Sequence, residues 1–392
     1  NIGAAARPEK WPRNTPLLPA PFADRLALEE VTLADALKSQ GYATMFAGKW
    51  HLGPEGFWPE QQGFDVNKGG IDKGGPYGGK KYFSPYANPG LRDGPDGEHL
   101  PDRLASEVCD FMASKKDQPF LAYFPFYSVH TPLMARPDLQ KKYEEKHARL
   151  KLEPKFAEEG KSRVRTVQEH AVYAAMVEAM DQAVGKVLSK LDELGLRDDT
   201  IVIFTSDNGG LSTAEGWPTS NLPLRGGKGW MYEGGIRVPL IMRWPGVSKP
   251  GTVIGTPVCG IDFMPTLQAA AGISKTNGDG KDLSPLIRGE AFPQRPLFWH
   301  YPHYGNQGGS PSAAIRKGNW KLIEWFGTNH TELYDLSKDL GEKSDLASSQ
   351  PEQVSALREE LHAWQKDVGA LFPTPNPAYD PTQPLEKKKG KQ

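Results

Sequence analysis

Short apolar runs alternate with helical repeats through most of the chain. In residues 166–194, apolar side chains recur at steps of three and four, which predicts the longest helix. Shorter helices are predicted over 32–40 and 102–113. The runs 120–127 and 200–206 are apolar on both faces, as strands of a helix-covered parallel sheet are. The pattern predicts an α/β fold, with a mainly parallel sheet sandwiched by helices.

The pattern changes after about residue 290. Alternating apolar residues over 313–323 surround a Gly-Asn pair, which predicts a β-hairpin, and 332–336 predicts a further strand. A final helix is predicted over 351–368. The segment after about residue 290 is therefore predicted to form a smaller C-terminal antiparallel sheet plus helix. The first 30 residues show no periodicity and predict a surface loop. The predicted units are a main α/β domain over 1–290, an α+β subdomain over 291–372 and a disordered tail over 373–392.

Composition narrows the classes of function. The 392 residues carry a formal net charge of −1, so nothing attracts the chain as a whole to nucleic acid or to an anionic membrane. The sequence has no long uncharged apolar stretch, which predicts no transmembrane helix. Cys109 and Cys259 lie among apolar residues, which favours buried free thiols, with a disulfide between them as the alternative.

Polar side chains stand where two predicted strands end. Lys49 and His51 are two residues apart, so on a strand they point to the same side and can meet one anionic group. Asp207 and Asn208 follow the run 200–206, at the strand end where open α/β sheets bind ligands. Their oxygens suit Ca²⁺ or Mg²⁺, although the pair taken alone favours an Asx-turn that closes a loop.

Two further candidates follow the same logic. His130 comes just after the apolar run 120–127, and Lys228 lies in a glycine-rich loop over 225–235. Either residue alone is equally well explained as an ordinary strand-end histidine or loop lysine. The argument for function comes from the four groups appearing together in one chain.

Taken in order, the segments that carry these groups closely resemble the sulfatase family, whose fold is shared with alkaline phosphatases. The segments are 41–53, 128–132, 200–210 and 225–235, and the resemblance extends from about residue 31 to about residue 347. It implies a sulfuric ester hydrolase in which Lys49 and Lys228 contact sulfate, His51 lies beside the nucleophile, and His130 assists the leaving group. Two ammonium groups can hold the ester while charge builds on its leaving oxygen.

The resemblance also implies a cofactor, a substrate class and a location. Asp207 and Asn208 match positions that supply part of a calcium site, with two further aspartates expected from an earlier strand. Related bacterial sulfatases act on polysaccharides and glycosaminoglycans, which implies a sulfated carbohydrate as the partner rather than nucleic acid. Proteins of this kind are periplasmic or extracellular.

The expected nucleophile is where the chain departs from the family. Sulfatases attack sulfur with a formylglycine made from Cys or Ser in a C/S-x-P-S/T-R motif. Neither Cys109 nor Cys259 has that context, and the Ser-Pro-Ser segment at 310–312 lacks the arginine. We therefore expect an N-terminally truncated sulfatase that is inactive by itself. The alternatives are a phosphomonoesterase or phosphodiesterase of the same superfamily, and an inactive sulfatase-like protein that binds glycans.

An aromatic loop is the candidate for substrate choice. Residues 298–309 are dense in aromatic and polar side chains that can stack on a sugar and bond its hydroxyls. Trp299, His303 and Tyr304 are the predicted substrate contacts. The alternative is a hydrophobic brace between the two predicted domains.

Overall fold

The computed structural model describes residues 14–274 and 278–383. Residues 1–13 of the predicted surface loop over 1–30, and residues 384–392 of the predicted tail over 373–392, lie outside the described residues. The helices are α1 Leu33–Lys38, α2 Leu100–Ser114, α3 Pro137–Leu150, α4 Ala171–Glu193, α5 Glu233–Ile236, α6 Phe263–Ala270, α7 Ser284–Arg288 and α8 Pro351–Asp367.

Thirteen short strands complete the described secondary structure. They are β1 Leu17–Leu18, β2 Ala43–Ala47, β3 Val66–Lys68, β4 Phe120–Tyr123, β5 Phe156–Glu159, β6 Ser162–Arg165, β7 Val202–Thr205, β8 Leu240–Arg243, β9 Leu297–Tyr301, β10 Ser312–Lys317, β11 Trp320–Trp325, β12 His330–Asp335 and β13 Thr374–Pro375. The α/β class predicted from the sequence is confirmed.

Helix ends follow the capping residues. Thr32 Oγ1 accepts from Asp35 N at 3.1 Å, and Asp35 Oδ2 accepts from Thr32 N at 3.0 Å, which is the reciprocal box that starts α1. The longest helix, α4, begins later than predicted from 166. Thr166 N instead donates to Lys155 O at 2.9 Å and extends the β5–β6 hairpin, which the sequence reading missed.

A three-stranded parallel sheet, in the order β3-β2-β4, lies inside the main domain. All five residues of β2 are buried. Successive side chains of β2 point to opposite faces of the sheet. Met45 packs into the cluster formed by α2 and α4, whereas Phe46 packs with Ala34 of α1 and with Phe64. Helices therefore cover both faces of the strand. Strand β7 pairs antiparallel with β8 in a separate two-stranded sheet.

The C-terminal part is an antiparallel sheet in the order β12-β11-β10-β9, with α8 on one face. Helix α8 contributes Leu357 and Leu361 to a core with Ile315 and Leu322. The predicted hairpin is confirmed at β10 and β11, which are joined at Gly318 and Asn319. The opposite face of this sheet packs against the glycine-rich loop of the main domain.

The predicted disorder from residue 373 is corrected for residues 374–383. Strand β13 pairs with β1, and Asn14 Nδ2 donates to Asp380 O and Gln383 O, both at 2.8 Å. Asp380 N donates back to Asn14 Oδ1 at 2.9 Å. Because both partners are far away in the chain, local composition gives no sign of this pairing.

Two predictions from composition can also be compared with the structure. Cys109 and Cys259 are free thiols, and Cys109 is buried whereas Cys259 is half-buried. Within residues 14–274 and 278–383, no helix is long and apolar enough to cross a membrane.

Candidate functional site

The end of β2 is held tightly where the Lys49 segment begins. Lys49 N donates to Pro125 O, and His51 N donates to Ile71 O, each at 2.9 Å. Gly48 has φ 131°, and a Cβ there would lie 1.9 Å from Pro125 O, so only glycine fits. His51 has φ 61°, a left-handed conformation that directs the chain away from the strand. Lys49 and His51 therefore stand on a fixed backbone.

Lys49 is half-buried among charged groups from other segments. Burial is the main cause that lowers the pKa of Lys49 from its ordinary value, and the charge of Lys228 lowers it further. Asp207 and Glu215 act in the opposite direction. These interactions bring together residues from the ends of β2 and β7 and from two loops, as the sequence predicted for three of the four.

His130 joins the same group from the end of the β4 segment. Its Nδ1 lies 2.8 Å from Thr131 O, and since a carbonyl only accepts, Nδ1 donates and Nε2 keeps the lone pair in the neutral ring. Burial is the main cause that lowers the pKa of His130 below 6.5, and Lys228 and Lys49 lower it further. His130 is therefore neutral near pH 7 while the pocket holds no anion.

The loops carrying Asp207 and Lys228 are packed against each other through their backbones. Gly209 N donates to Gly235 O at 2.9 Å, and Lys228 N donates to Gly210 O at 3.1 Å. A Cβ on Gly209 would lie 1.7 Å from Gly234 O. The glycines are therefore needed because two backbone segments approach closely, and not because the loops must be mobile. The position of Lys228 is consequently tied to that of Asn208 and Asp207.

Asp207 and Asn208 are the oxygen donors that the sequence predicts for a metal. Asp207 is exposed, and Asn208 Nδ2 donates to Gly209 O at 2.9 Å, which turns its amide oxygen the other way. Among the described residues, no group of three His, Cys, Asp or Glu side chains could together hold an ion. Asp207 and Asn208 fit calcium by their chemistry, but they supply a minority of the six to eight oxygens that it takes.

The aromatic loop contacts the site through residues other than those predicted. Trp299 packs with the cluster containing Trp230, Tyr232 and Tyr334, as the alternative of a hydrophobic brace expects. His303 is fully buried, beside Phe22, and burial lowers its pKa to about 4. The structure thus places His303 inside the protein, away from solvent, and leaves Trp299 half-buried against that aromatic cluster.

Tyr304 is half-buried beside strand β1. The backbone of Leu17 bonds its hydroxyl, and burial raises the pKa of Tyr304 to about 12. The residues of this loop that reach the site are Asn306 and Gln307, which both donate to Glu215 Oε1, at 2.7 and 2.9 Å. The sequence reading missed these contacts because glutamate and amides in loops carry no distinguishing pattern.

Comparison with known proteins identifies the class to which this fold and site belong. The family model described as Sulfatase matches residues 11–273, and a second model, described as N-sulphoglucosamine sulphohydrolase, C-terminal, matches residues 227–367. The chain belongs to the sulfatase family.

Particular relatives agree with that assignment. A sulfatase of Formosa agariphila is 33% identical, with 93% of this chain and 75% of the relative covered. Human arylsulfatase A is 31% identical, with 88% of this chain and 74% of the relative covered. The crystal structure of Ps i-CgsB in complex with k-i-k-neocarrahexaose superposes with a TM-score of 0.73 at 25% identity, covering 96% of this chain and 82% of that one.

Proposed function

We propose that this pocket binds the sulfate group of a sulfated carbohydrate and supports hydrolysis of the sulfuric ester. One observation carries the proposal: Lys49, Lys228 and His130 come from three separate segments, and after burial, the largest cause, the charge of Lys228 lowers the pKa of both Lys49 and His130. Like charges gathered in a half-buried site are unfavourable unless an anion joins them. A sulfate ester supplies one negative charge in that position.

The roles of the residues follow from their chemistry. The two ammonium groups hold the ester and stabilise charge on its oxygens. Binding of the anion offsets the lysine charges, so the pKa of His130 rises toward its ordinary value. His130 Nε2 can then carry a proton to the leaving alcohol oxygen, while Thr131 O fixes the orientation of the ring.

Two groups that sulfatases use would complete this chemistry. A formylglycine would supply the nucleophile that attacks sulfur. Calcium, held in part by Asp207 and Asn208, would add positive charge beside the sulfate oxygens. The Cys109 thiol does not replace the first group: its Sγ donates to Lys186 O at 3.8 Å, between α2 and α4, and burial raises its pKa. We therefore expect this chain to bind esters better than it turns them over.

A carbohydrate is the favoured alcohol component of the ester. The structural neighbour solved with k-i-k-neocarrahexaose and the match to an N-sulphoglucosamine sulphohydrolase C-terminal model both involve sugars. In this chain, the exposed amide of Asn306 lies beside the pocket, where it can meet sugar hydroxyls. A periplasmic or extracellular location would give access to such substrates.

The proposal is tested by calorimetric titration with a monosulfated disaccharide, its phosphorylated analogue and the unsulfated parent. We expect binding of the sulfated form only. Lys49→Met and Lys228→Met should each weaken it about ten- to a hundredfold, the size of a lost hydrogen bond to a charged group. The control is Lys317→Met. Lys317 is an exposed lysine on the C-terminal sheet, paired with Glu360 of α8.

The outcomes separate the alternatives. Preference for the phosphorylated sugar would favour a phosphoesterase. If His130 is the proton carrier, the protein takes up a proton when the ester binds, and this uptake remains in Lys317→Met and disappears in His130→Gln. That result would favour a hydrolase over a purely glycan-binding protein, because only the hydrolase needs a proton beside the leaving oxygen. Equal binding of the sulfated and unsulfated sugars would contradict the proposal.

A further inference from the structure

Glu215 is a second acidic residue, besides Asp207, in a site that gathers Lys49, Lys228 and His130. Its carboxylate acts electrostatically on Lys49 and His130, and it raises the pKa of Tyr77 together with burial, which is the larger cause. The ring of Tyr77 lies 6.5 Å from that of His130. Glu215 therefore stands on the wall of the pocket, among the groups to which we assign sulfate binding and proton transfer.

The carboxylate connects two segments that are far apart in the chain. Thr131 Oγ1 donates to Glu215 Oε2 at 3.2 Å, next to His130. Asn306 Nδ2 and Gln307 Nε2 donate to Oε1, at 2.7 and 2.9 Å. Gln307 is in turn fixed by its carbonyl, which accepts from Trp230 Nε1 at 2.9 Å. Glu215 thus joins the His130 segment to the loop that lies beside the pocket.

The backbone around Glu215 is held in a disfavoured conformation. Glu215 has φ 52° and Trp217 has φ 49°, both left-handed, with Gly216 between them. The β5–β6 hairpin clamps this turn: Trp217 Nε1 donates to Arg163 O at 3.0 Å, and the Arg163 guanidinium lies 4.0 Å from the Trp217 ring. Such conformations persist where the surroundings enforce them, and they concentrate at functional sites.

We propose that Glu215 is a specificity-determining residue that selects esters of an uncharged, hydroxyl-bearing sugar and disfavours a second anionic group beside the sulfate. This rests on the proposed function. An ionised carboxylate has about four acceptor positions, and Thr131, Asn306 and Gln307 occupy three of them. The remaining position can accept from a sugar hydroxyl. A neighbouring carboxylate or second sulfate is repelled by the same charge.

The test compares affinities for two disaccharides that differ only in a second sulfate on the sugar next to the sulfate ester. Calorimetric titration of the full chain should show about a fivefold preference for the monosulfated form, as a partly exposed pair of like charges produces. Glu215→Gln removes the charge but keeps the shape, and it should reduce the preference to within about twofold. Glu359→Gln, an exposed acid on α8, is the matched control and should keep the preference.

A second variant and a second measurement keep the test decisive. Asn306→Ala loosens the loop without removing the charge, so both affinities should fall together and their ratio should stay. For the unmodified chain, the preference should shrink as salt rises from 0.05 to 0.5 M, because screening weakens repulsion between partly exposed charges. An unchanged ratio in Glu215→Gln, or a ratio independent of salt, would overturn the role of Glu215. Failure of the unmodified chain to prefer either sulfated sugar over the unsulfated parent would overturn the proposed function as well.

Discussion

Two groups of charged residues in the described part of the chain differ in how their buried charges are compensated. On the C-terminal sheet, Lys321 is fully buried and its Nζ lies 3.1 Å from Glu233 Oε1 and 2.7 Å from Glu342 Oε1. In the candidate site, burial lowers the pKa of Lys49, the charge of Lys228 lowers it further, and Asp207 and Glu215 oppose that shift in part. The first group is complete within the protein, whereas the second is arranged to be completed by an anion from outside.

A structural charge has its partners within the protein, whereas a functional charge is left to be compensated by a ligand. Glu342 Oε2 also accepts from Glu233 N at 2.6 Å, so the first group fixes the start of α5 against the C-terminal sheet. Burial raises the pKa of Glu342, and Lys321 opposes that rise. A charge bonded on several sides stabilises the fold only while all its partners remain, whereas a cation crowded by another cation costs stability until a ligand arrives.

Removing Lys321 should give the largest effect. Lys321→Met leaves Glu342 without a cation and leaves Glu233 with Arg316 alone, whose Nη1 lies 3.3 Å from Glu233 Oε2. We expect the free energy of unfolding to fall by about 3–5 kcal/mol. Chemical denaturation measures this. The neighbouring exposed Lys317→Met should lower it by no more than about 1 kcal/mol. Similar stability of the two variants would mean that the buried group has alternative partners.

The pH dependence of anion binding should be the next largest effect. Because the pKa of His130 is below 6.5 in the free protein and rises when an anion binds, affinity for a sulfated sugar should increase as pH falls through that interval and level off below it. We expect a gain of several-fold, set by the difference between the pKa of His130 in the free protein and in the complex. Titrations between pH 5 and 8 measure it. His130→Gln should give a flat profile, and a flat profile for the unmodified chain would be evidence against a nearby anion.

Calcium should have a small effect on this chain. Asp207 and Asn208 provide few of the oxygens that the ion needs, so we expect weak binding and a rise in melting temperature below about 2 °C at 1 mM Ca²⁺. Thermal melting with and without the ion measures this, and Asp207→Asn should remove what rise there is. A large rise would mean that other oxygen ligands complete the site.

Removing Lys228 should have the smallest effect on stability. Lys228→Met relieves repulsion with Lys49, so we expect the free energy of unfolding to stay within about 0.5 kcal/mol of the unmodified chain. The same denaturation experiment serves, and in combination with the loss of anion binding it separates Lys228 from Lys321. A loss as large as that of Lys321→Met would show that the pocket lysine is structural after all.

Local features of the fold were predictable because their causes are local. The Thr32 box marks α1, the Gly318-Asn319 pair marks the hairpin, and apolar runs mark β4 and β7. Strand β4 nevertheless ends at Tyr123, before Pro125, which has no backbone N–H to donate. The sequence thus predicts the type of an element better than its boundaries.

The site residues that follow strands were predictable from the sequence, whereas Glu215 and its partners were not. Lys49, His130 and Asp207 each follow an apolar run, so the strand pattern predicts each of them close to a strand end, although β7 belongs to a different sheet from β2 and β4. Glu215 depends on partners 84 and 91 positions away, Thr131 and Asn306, which only the folded chain brings together. The burial of His303 likewise depends on Phe22, and no periodicity links those two residues.

The packing of Trp230 and Tyr232 has a consequence for how the protein unfolds. Both residues follow Lys228 in the glycine-rich loop, yet their rings belong to the core beneath Ala314 and Ile323 of the C-terminal sheet. A boundary near residue 290 therefore divides the sequence without dividing the cooperative unit. If the C-terminal sheet opens, it uncovers the loop that carries Lys228, so the ability to hold an anion should disappear in the same transition as the sheet itself.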